Sequence, residues 1–327
     1  MITIGVLVPT APGQPPPPST RPVGRAALML RERGITVIFG DTVTRSGGGV
    51  VMDGLIAAPG SWEPHQAPIM ALHDRFPSQR RAAQYAAAQQ ELGPLPMGNP
   101  PSITLLCRDK IACQQALEGS GVVMPPVISD PAAFEDTLRG WGVGFLKPQF
   151  GALGIGVQRV RPGDPLPETL PGAVPGQQDP AILQRAVPPP AGWAGRSVRA
   201  LVQRLPGGGW HQCPPVTRQS RTDFVVNAAR GASVAPARDV LSERTMAHIA
   251  ASCQAVCQRI SALPDGDRVV ELGLDLMIDD HDRAALIEVN SRPRGRLEAL
   301  AALDAARFSA AHVEACARPL AYMASLV

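Results

Sequence analysis

Aromatic residues are scarce, 4% of 327 positions, and the net charge is only +3. So small a charge gives no electrostatic case for nucleic acid. The six cysteines (Cys107, Cys113, Cys213, Cys253, Cys257 and Cys316) contain no CxxC pair. Neither a zinc site nor a redox motif is read from them, and structural thiols in a reducing cytosol are expected. No apolar run reaches the length of a membrane span, and the apolar opening Met1–Pro9 lacks a basic segment and is too short for a signal peptide. The expectation is a soluble, cytoplasmic chain with no membrane partner. No Gly-Lys-Ser/Thr opens a helix, no dinucleotide fingerprint is present, and no Ser-His-Asp or Cys-His arrangement stands out. What is abundant is proline, 35, and glycine, 32, in a chain that is 45% apolar and 18% charged. That is a globular composition, long enough for two or more domains.

The pattern opens strand–helix–strand: residues 2–8, a helix over 22–33 stopped by Gly34, and Ile35–Phe39. Val50–Ala57 can add strands. Arg80–Leu92 reads as an Ala/Gln-rich helix, and the Pro/Gly stretch 93–101 as a boundary. Helices are expected over Asp109–Ser120, Pro131–Arg139, Ser242–Leu263 and the last thirty residues. Strands are expected near Val122–Met124 and over Gly144–Pro148, Gly156–Val160, Ala181–Ala186, Ser197–Arg204 and Trp210–Thr217.

The most informative segment is Gly273–Arg296. It reads as two alternating strands around a polar turn, with Asp275 and Met277 on one face and Leu274, Leu276 and Ile278 on the other. Glu288 and Asn290 share a face of the return strand. A turn centred between His281 and Asp282 sets Asp275 opposite Glu288, with Cβ atoms about 4.5–5.5 Å apart. Two like charges there repel unless a hard cation joins them. Two carboxylates and an amide oxygen are ligands Mg²⁺ prefers, with water and nucleotide phosphates completing its shell. The competing reading is a solvated acidic strand face; the apolar opposite face and Asn290 weigh against it.

Phe145–Val157 reads as strand, glycine turn, strand. Gly151, Gly154 and Gly156 would let backbone amides approach phosphate, and Lys147 could hold a phosphate as a point charge. Taken alone, such a hairpin is usually only a turn. Arg292, Arg294 and Arg296 suit anionic substrate recognition or a solvated turn. Arg199 has a similar balance, and Arg221 and Arg230 belong either to the same basic pocket or to the surface. His73, His211, His248 and His281 are given no catalytic role. Trp193 and Trp210 either line a pocket or anchor packing.

In chain order, Lys147 with its glycines, Ile182-Leu-Gln-Arg185, Arg199, Arg218, Asp223-Phe-Val-Val-Asn227, Asp275 and Glu288-Val-Asn290 resemble the ATP-grasp superfamily. The nearest branches are the YheC/YheD-like and RimK-like (glutamate ligase) carboxylate–amine ligases. The YheC/YheD resemblance extends to His73-Asp-Arg-Phe-Pro-Ser78 and Arg108-Asp-Lys110. It implies an α+β, ATP-grasp fold, two α+β lobes sandwiching ATP, preceded by a small α/β domain. Residues 1–100 would be that domain and 101–327 the ATP-grasp domain, with a lid lobe at about 108–185 and a C-terminal lobe at about 186–327. The resemblance further implies that Lys110 and Lys147 contact phosphates or adenine, and that the backbone of Gln184, Arg185, Ala186 and Val187 reads adenine. Arg199 would join the nucleotide site. Asp275, Glu288 and Asn290 would hold Mg²⁺, or Mn²⁺ in its place, and Arg218 and Asn227 would sit at the reacting phosphate. Arg292 would meet the substrate. Ser197 stands where related ligases carry an acid, and Val225 and Val226 replace a polar pair. The implied reaction joins an anionic carboxylate to an amine (amino acid or peptide) through an acyl phosphate, in a chain that could form a homo-oligomer. A nucleotide-binding, coat-associated protein with little catalysis is the alternative, and a kinase that stops at the phosphorylated product is a third reading.

Overall fold

Gly34, at φ +80°, ends the first helix, Pro22–Glu32, and lets the chain double back. Strand β2 (Ile35–Ser46) therefore returns parallel to β1 (Ile2–Leu7), the helix serving as the crossover that parallel strands need. The computed structural model describes residues 1–8, 21–75, 92–151, 154–172, 176–226, 231–293 and 297–327. The expected helix Arg80–Leu92 lies, apart from Leu92, outside them.

Three sheets follow one another along the chain. The first adds β3 (Gly49–Ala58), β4 (Ser61–Ile69), β5 (Ala71–Asp74) and β6 (Met97–Gly98), in the order β4-β3-β2-β1-β5-β6. Strand β4 carries Pro64 and Pro68, which obscure it in the sequence; it lies at the sheet edge, where proline is tolerated. The second sheet is antiparallel. It holds β7 (Val127–Ile128), β8 (Gly144–Pro148), β9 (Gln158–Val160), β10 (Thr169–Pro171) and β11 (Gln178–Arg185), in the order β10-β11-β8-β9 with β7 beside β11. No strand forms at Val122–Met124. There the chain stays irregular, and the Val123 carbonyl accepts the Leu286 amide at 2.8 Å.

The third sheet comprises β12 (Gly195–Arg204), β13 (Trp210–Gln212), β14 (Val216–Ser220), β15 (Ser233–Pro236), β16 (Glu271–Ile278) and β17 (Ala284–Asn290). Its order is β15-β14-β12-β16-β17, with β13 on β12. The expected single strand Trp210–Thr217 is two strands, because Pro214 and Pro215 lack amide donors. Alternation gives this sheet two different faces. Val198, Ala200, Leu274 and Leu276 point back against Ile249, Cys253, Val256 and Ile260 of the helix Glu243–Ser261. Each of the Val, Leu and Ile side chains, fully buried, contributes about 1.5–3 kcal/mol. The opposite face presents Ser197, Arg199 and Asp275 to a cleft. Ser242 caps that helix by accepting the Thr245 amide.

The C-terminal helix Ala305–Ala324 joins the first and third sheets. Val313, Leu320 and Met323 pack with Ile4, Leu30 and Val37, whereas Phe308 and Ala315 pack with Leu201 and Val216. All six cysteines are buried and reduced, and burial pushes the Cys253 thiol up to about 12. Among the described residues no helix is long and apolar enough to cross a membrane.

Candidate active site

Asp275 does pair with Glu288, but not by the turn expected from the sequence. The loop is Asp280-His281-Asp282, with Asp282 left-handed at φ +59°, and Asp279 Oδ1 accepts the amides of His281 and Arg283. A turn so centred on His281 pairs Ile278 with Ala284 and Leu276 with Leu286, and continued unbroken would set Asp275 opposite Ile287. A register shift just after Asp275 makes Ile287 the extra residue of a bulge and brings Glu288 across instead. The Leu286 amide, turned to Val123, belongs to the same irregularity. The bulge thus aims two acids at one point.

On the neighbouring strand, Arg199 stands opposite Asp275. Its Nε donates to Asp275 Oδ1 at 2.6 Å and its Nη2 to Oδ2 at 2.5 Å, a bidentate fork. Asn290 Nδ2 donates to Oδ2 at 3.1 Å, and Arg218 Nη1 lies 3.7 Å from Oδ1. Burial disfavours the Asp275 charge, but Arg199, joined by Arg218 and Asn290, outweighs it and holds the carboxyl below its ordinary value. Glu288 is different. Burial pushes its carboxyl up; Lys110 opposes the shift and the Asp275 charge adds to it. No described residue donates a hydrogen bond to the Glu288 carboxylate.

These groups line a cavity of about 720 Å³ between the second and third sheets, within the size range of small-molecule sites. Two lysines face Glu288 from the other side. Asp109 caps the helix Lys110–Leu117, accepting the Ile111 and Ala112 amides, and also accepts Gln149 Nε2 at 2.9 Å. That fixes Lys110 at the first helical position, where its Nζ donates to Gly151 O at 2.6 Å. Lys147, on β8, donates to Gln184 Oε1 at 2.5 Å and lies 5.7 Å from the Phe145 ring centroid. Burial, reinforced by the Lys110 charge, lowers the Lys147 ammonium to about 8 against the pull of Glu288.

Gly151 and Gly154 line the cavity, whereas Gly156 lies outside its lining. Gly154 sits at φ +73°, and a Cβ there would lie 2.9 Å from Val225 Cγ1, so the glycine turn closes directly on the loop after β14. Gln184, Arg185 and Val187 reach the cavity; Ala186 is behind them, its amide donated to Val143 O at 3.2 Å. Ser197 lines the cavity with a buried Oγ that has no hydrogen-bond partner among the described residues. Asn227, Arg230, Arg294 and Arg296 lie outside the described residues. Arg221 packs on Trp193 at 4.6 Å, and Trp210 packs under Arg204 at 4.4 Å.

Sequence reasoning missed a buried brace that ties the first sheet to this hairpin. Glu271 on β16, 0% exposed, pairs with Arg75 just after β5, and it accepts Gln203 Nε2 at 3.0 Å. Arg75 Nη2 donates to Pro293 O at 2.8 Å, on the segment that leaves β17. Arg292, expected at a substrate, lines the cavity but lies 3.0 Å from the buried Asp74 carboxylate. Asn99, at φ +55°, bonds the backbone of Val270, Glu271 and Ser291. The one signal available was the His73-Asp-Arg75 resemblance; its partner, 196 residues away, carried none.

Residues 175–326 match the family model described as YheC/D like ATP-grasp, a little under half of the chain. None of the curated proteins matches. D-alanyl-alanine synthetase A from Vibrio cholerae superposes with a TM-score of 0.58 at 15% identity, covering 98% of both chains. The RimK domain protein ATP-grasp from Sphaerobacter thermophilus gives 0.55 at 14%, again over 98% of both. N5-carboxyaminoimidazole synthetase from Staphylococcus aureus, solved in complex with ADP, gives 0.54 at 12%, over 91% of this chain and 72% of that one. At such identities the likeness is one of fold.

Proposed function

We propose, from the premise that this chain has the ATP-grasp fold, that it is an ATP-dependent carboxylate–amine ligase. The reading is carried by one observation. Two acids and an amide on β16 and β17 face two lysines and a glycine turn across a cavity of nucleotide size. Residues 1–100 would close one side of the cleft.

Asp275, Glu288 and Asn290 offer only oxygen ligands to a cation, the set Mg²⁺ favours, and Mn²⁺ suits the same ligands. Among the described residues no three His, Cys, Asp or Glu side chains gather into a metal site, so the hairpin alone is an incomplete shell. Phosphate oxygens and water would complete it. Glu288 is open to an ion, while Asp275 is already held by Arg199. A bound divalent ion would neutralise phosphate charge and act as a Lewis acid at the transferred phosphoryl group.

The chain's own cations carry the rest. Lys110 and Lys147 hold the phosphates, and the Gly154 amide approaches them beside Gly151, whose own amide is given to Pro148 O at 3.2 Å. Gln184, Arg185 and Val187 border the base. Arg218 braces the γ-phosphoryl as a substrate carboxylate oxygen attacks phosphorus and ADP leaves. The amine nitrogen then attacks the acyl carbon, phosphate departs with the bonding pair, and the amine loses a proton. Positioning and charge stabilisation suffice for both steps, without an enzyme nucleophile. Asn227 and Arg292 are assigned to the acyl phosphate and its carboxylate. The test is ADP release from Mg·ATP with amino acids and peptides, with the amide found by mass. A thermal shift with Mg·ATP but no ADP release would favour a binding protein, and an acyl phosphate without amide would favour a kinase.

Lys147 supplies a pH-dependent prediction. Its charge is disfavoured in the folded protein between about 8 and the unfolded value of 10.5, so stability without ligand rises with pH across that window. A bound triphosphate favours the charged ammonium. Binding of Mg·ATP at pH 8 should therefore take up about half a proton, and almost none about two units lower. Titration calorimetry in buffers of different ionisation heat measures the uptake, and Lys147→Met should abolish it.

A further inference from the structure

Asp275 has more partners than a waiting metal ligand should have. A carboxylate offers about four lone-pair directions. Arg199 takes two of them and Asn290 a third, while Arg218 approaches the first oxygen at 3.7 Å. An ion bound at about 2.0–2.1 Å would have to share that carboxylate with two guanidinium nitrogens at 2.6 and 2.5 Å. Like charges at such separations repel strongly, so the ion and the full fork compete for the carboxylate. Arg199 therefore has two places to be. Its strand position is fixed opposite Asp275, and its guanidinium borders the same cavity as Lys147 and Arg218. The anion within its reach once Asp275 is taken is a phosphate in that cavity.

We propose that Arg199 is a placeholder cation: it holds Asp275 while no ion is bound and swings onto a nucleotide's phosphate when a divalent ion takes the carboxylate. The inference rests on the metal reading given above. It makes Arg199 a positioning residue that keeps two facing acids together without metal. It also couples the ligands. Free metal is refused, because displacing Arg199 leaves a guanidinium without an anion, whereas metal arriving with a polyphosphate brings that anion with it.

The test is a Mn²⁺ titration of the full chain followed by electron paramagnetic resonance, with and without ATP. Wild type should bind Mn²⁺ weakly alone and tightly with ATP. Arg199→Met should bind Mn²⁺ alone at least about tenfold more tightly, about 1.4 kcal/mol, and should lose part of the gain that ATP gives. Arg199→Lys, which keeps the charge but not the fork, should fall between them and guards against a folding defect in the Met variant. Adding Glu288→Gln to Arg199→Met should remove the new affinity and so locate it at this hairpin. Equal binding of free Mn²⁺ by wild type and both variants, with the ATP-dependent site intact, would overturn the placeholder and leave the metal reading standing. No binding even with ATP would overturn both.

Discussion

Glu288→Gln is expected to lower ADP release at least about a thousandfold while leaving the nucleotide-free protein no less stable. The two effects have one cause. Glu288 is a half-buried acid whose carboxylate receives no hydrogen bond from any described residue, and burial raises its carboxyl despite Lys110. A raised carboxyl means that the negative charge is less favourable in the folded chain than in the unfolded one. The cost is complete above the raised value and vanishes below 4.5, where both states are protonated. Removing the charge should therefore raise the unfolding midpoint at neutral pH and change nothing in acid. A site kept for catalysis at the expense of stability behaves this way. Thermal unfolding at two pH values, beside an ADP-release assay, measures both halves. Retained turnover would contradict the metal role, and a large loss of stability at neutral pH would contradict the electrostatic account.

Glu271→Gln is expected to be the most destabilising single change near the site, by about 3–5 kcal/mol in urea unfolding. The Glu271 side chain is fully buried and pairs with Arg75, which is mostly buried too, so neutralising the acid removes the carboxylate that faces this guanidinium. Gln203 exchanges a charged acceptor for a neutral amide oxygen and keeps Ala315 O at 2.7 Å. The same physics predicts partial recovery. Changing Arg75 and Glu271 together to Met removes both charges, and the double variant should unfold later than Glu271→Gln alone. Because Arg75 also holds Pro293 O, the single variant should loosen the exit of β17 from the first sheet, which faster exchange of the Ser291 and Arg292 amides would report.

The sequence carried the chemistry of the hairpin further than its geometry. Strict alternation was enough to set Leu274 and Leu276 against the helix and Asp275 toward the cleft. The Asp275–Glu288 pairing was anticipated too, but through a turn one half-residue away from the real one; the bulge at Ile287 makes up the difference. Bulges have no compositional signature here, since Ile287 is an ordinary strand residue. Which strand lies on the other side of β16 was not legible at all. That neighbour decides that Arg199 meets Asp275, a contact across 76 positions of chain. The Glu271–Arg75 brace was hidden for the same reason. Local patterns name elements and faces, while pairings between distant elements are settled by packing. Proline misled in both directions: it concealed the edge strand Ser61–Ile69 and split the expected strand at Pro214 and Pro215.

The most direct test of the account is anomalous scattering from a crystal grown with Mn²⁺ and a non-hydrolysable ATP analogue. The account predicts a manganese peak in contact with oxygens of Asp275, Glu288 and Asn290 and of the nucleotide's phosphates. A nucleotide bound in the cavity with its metal away from these three side chains, and Asp275 still gripped by Arg199, would contradict it.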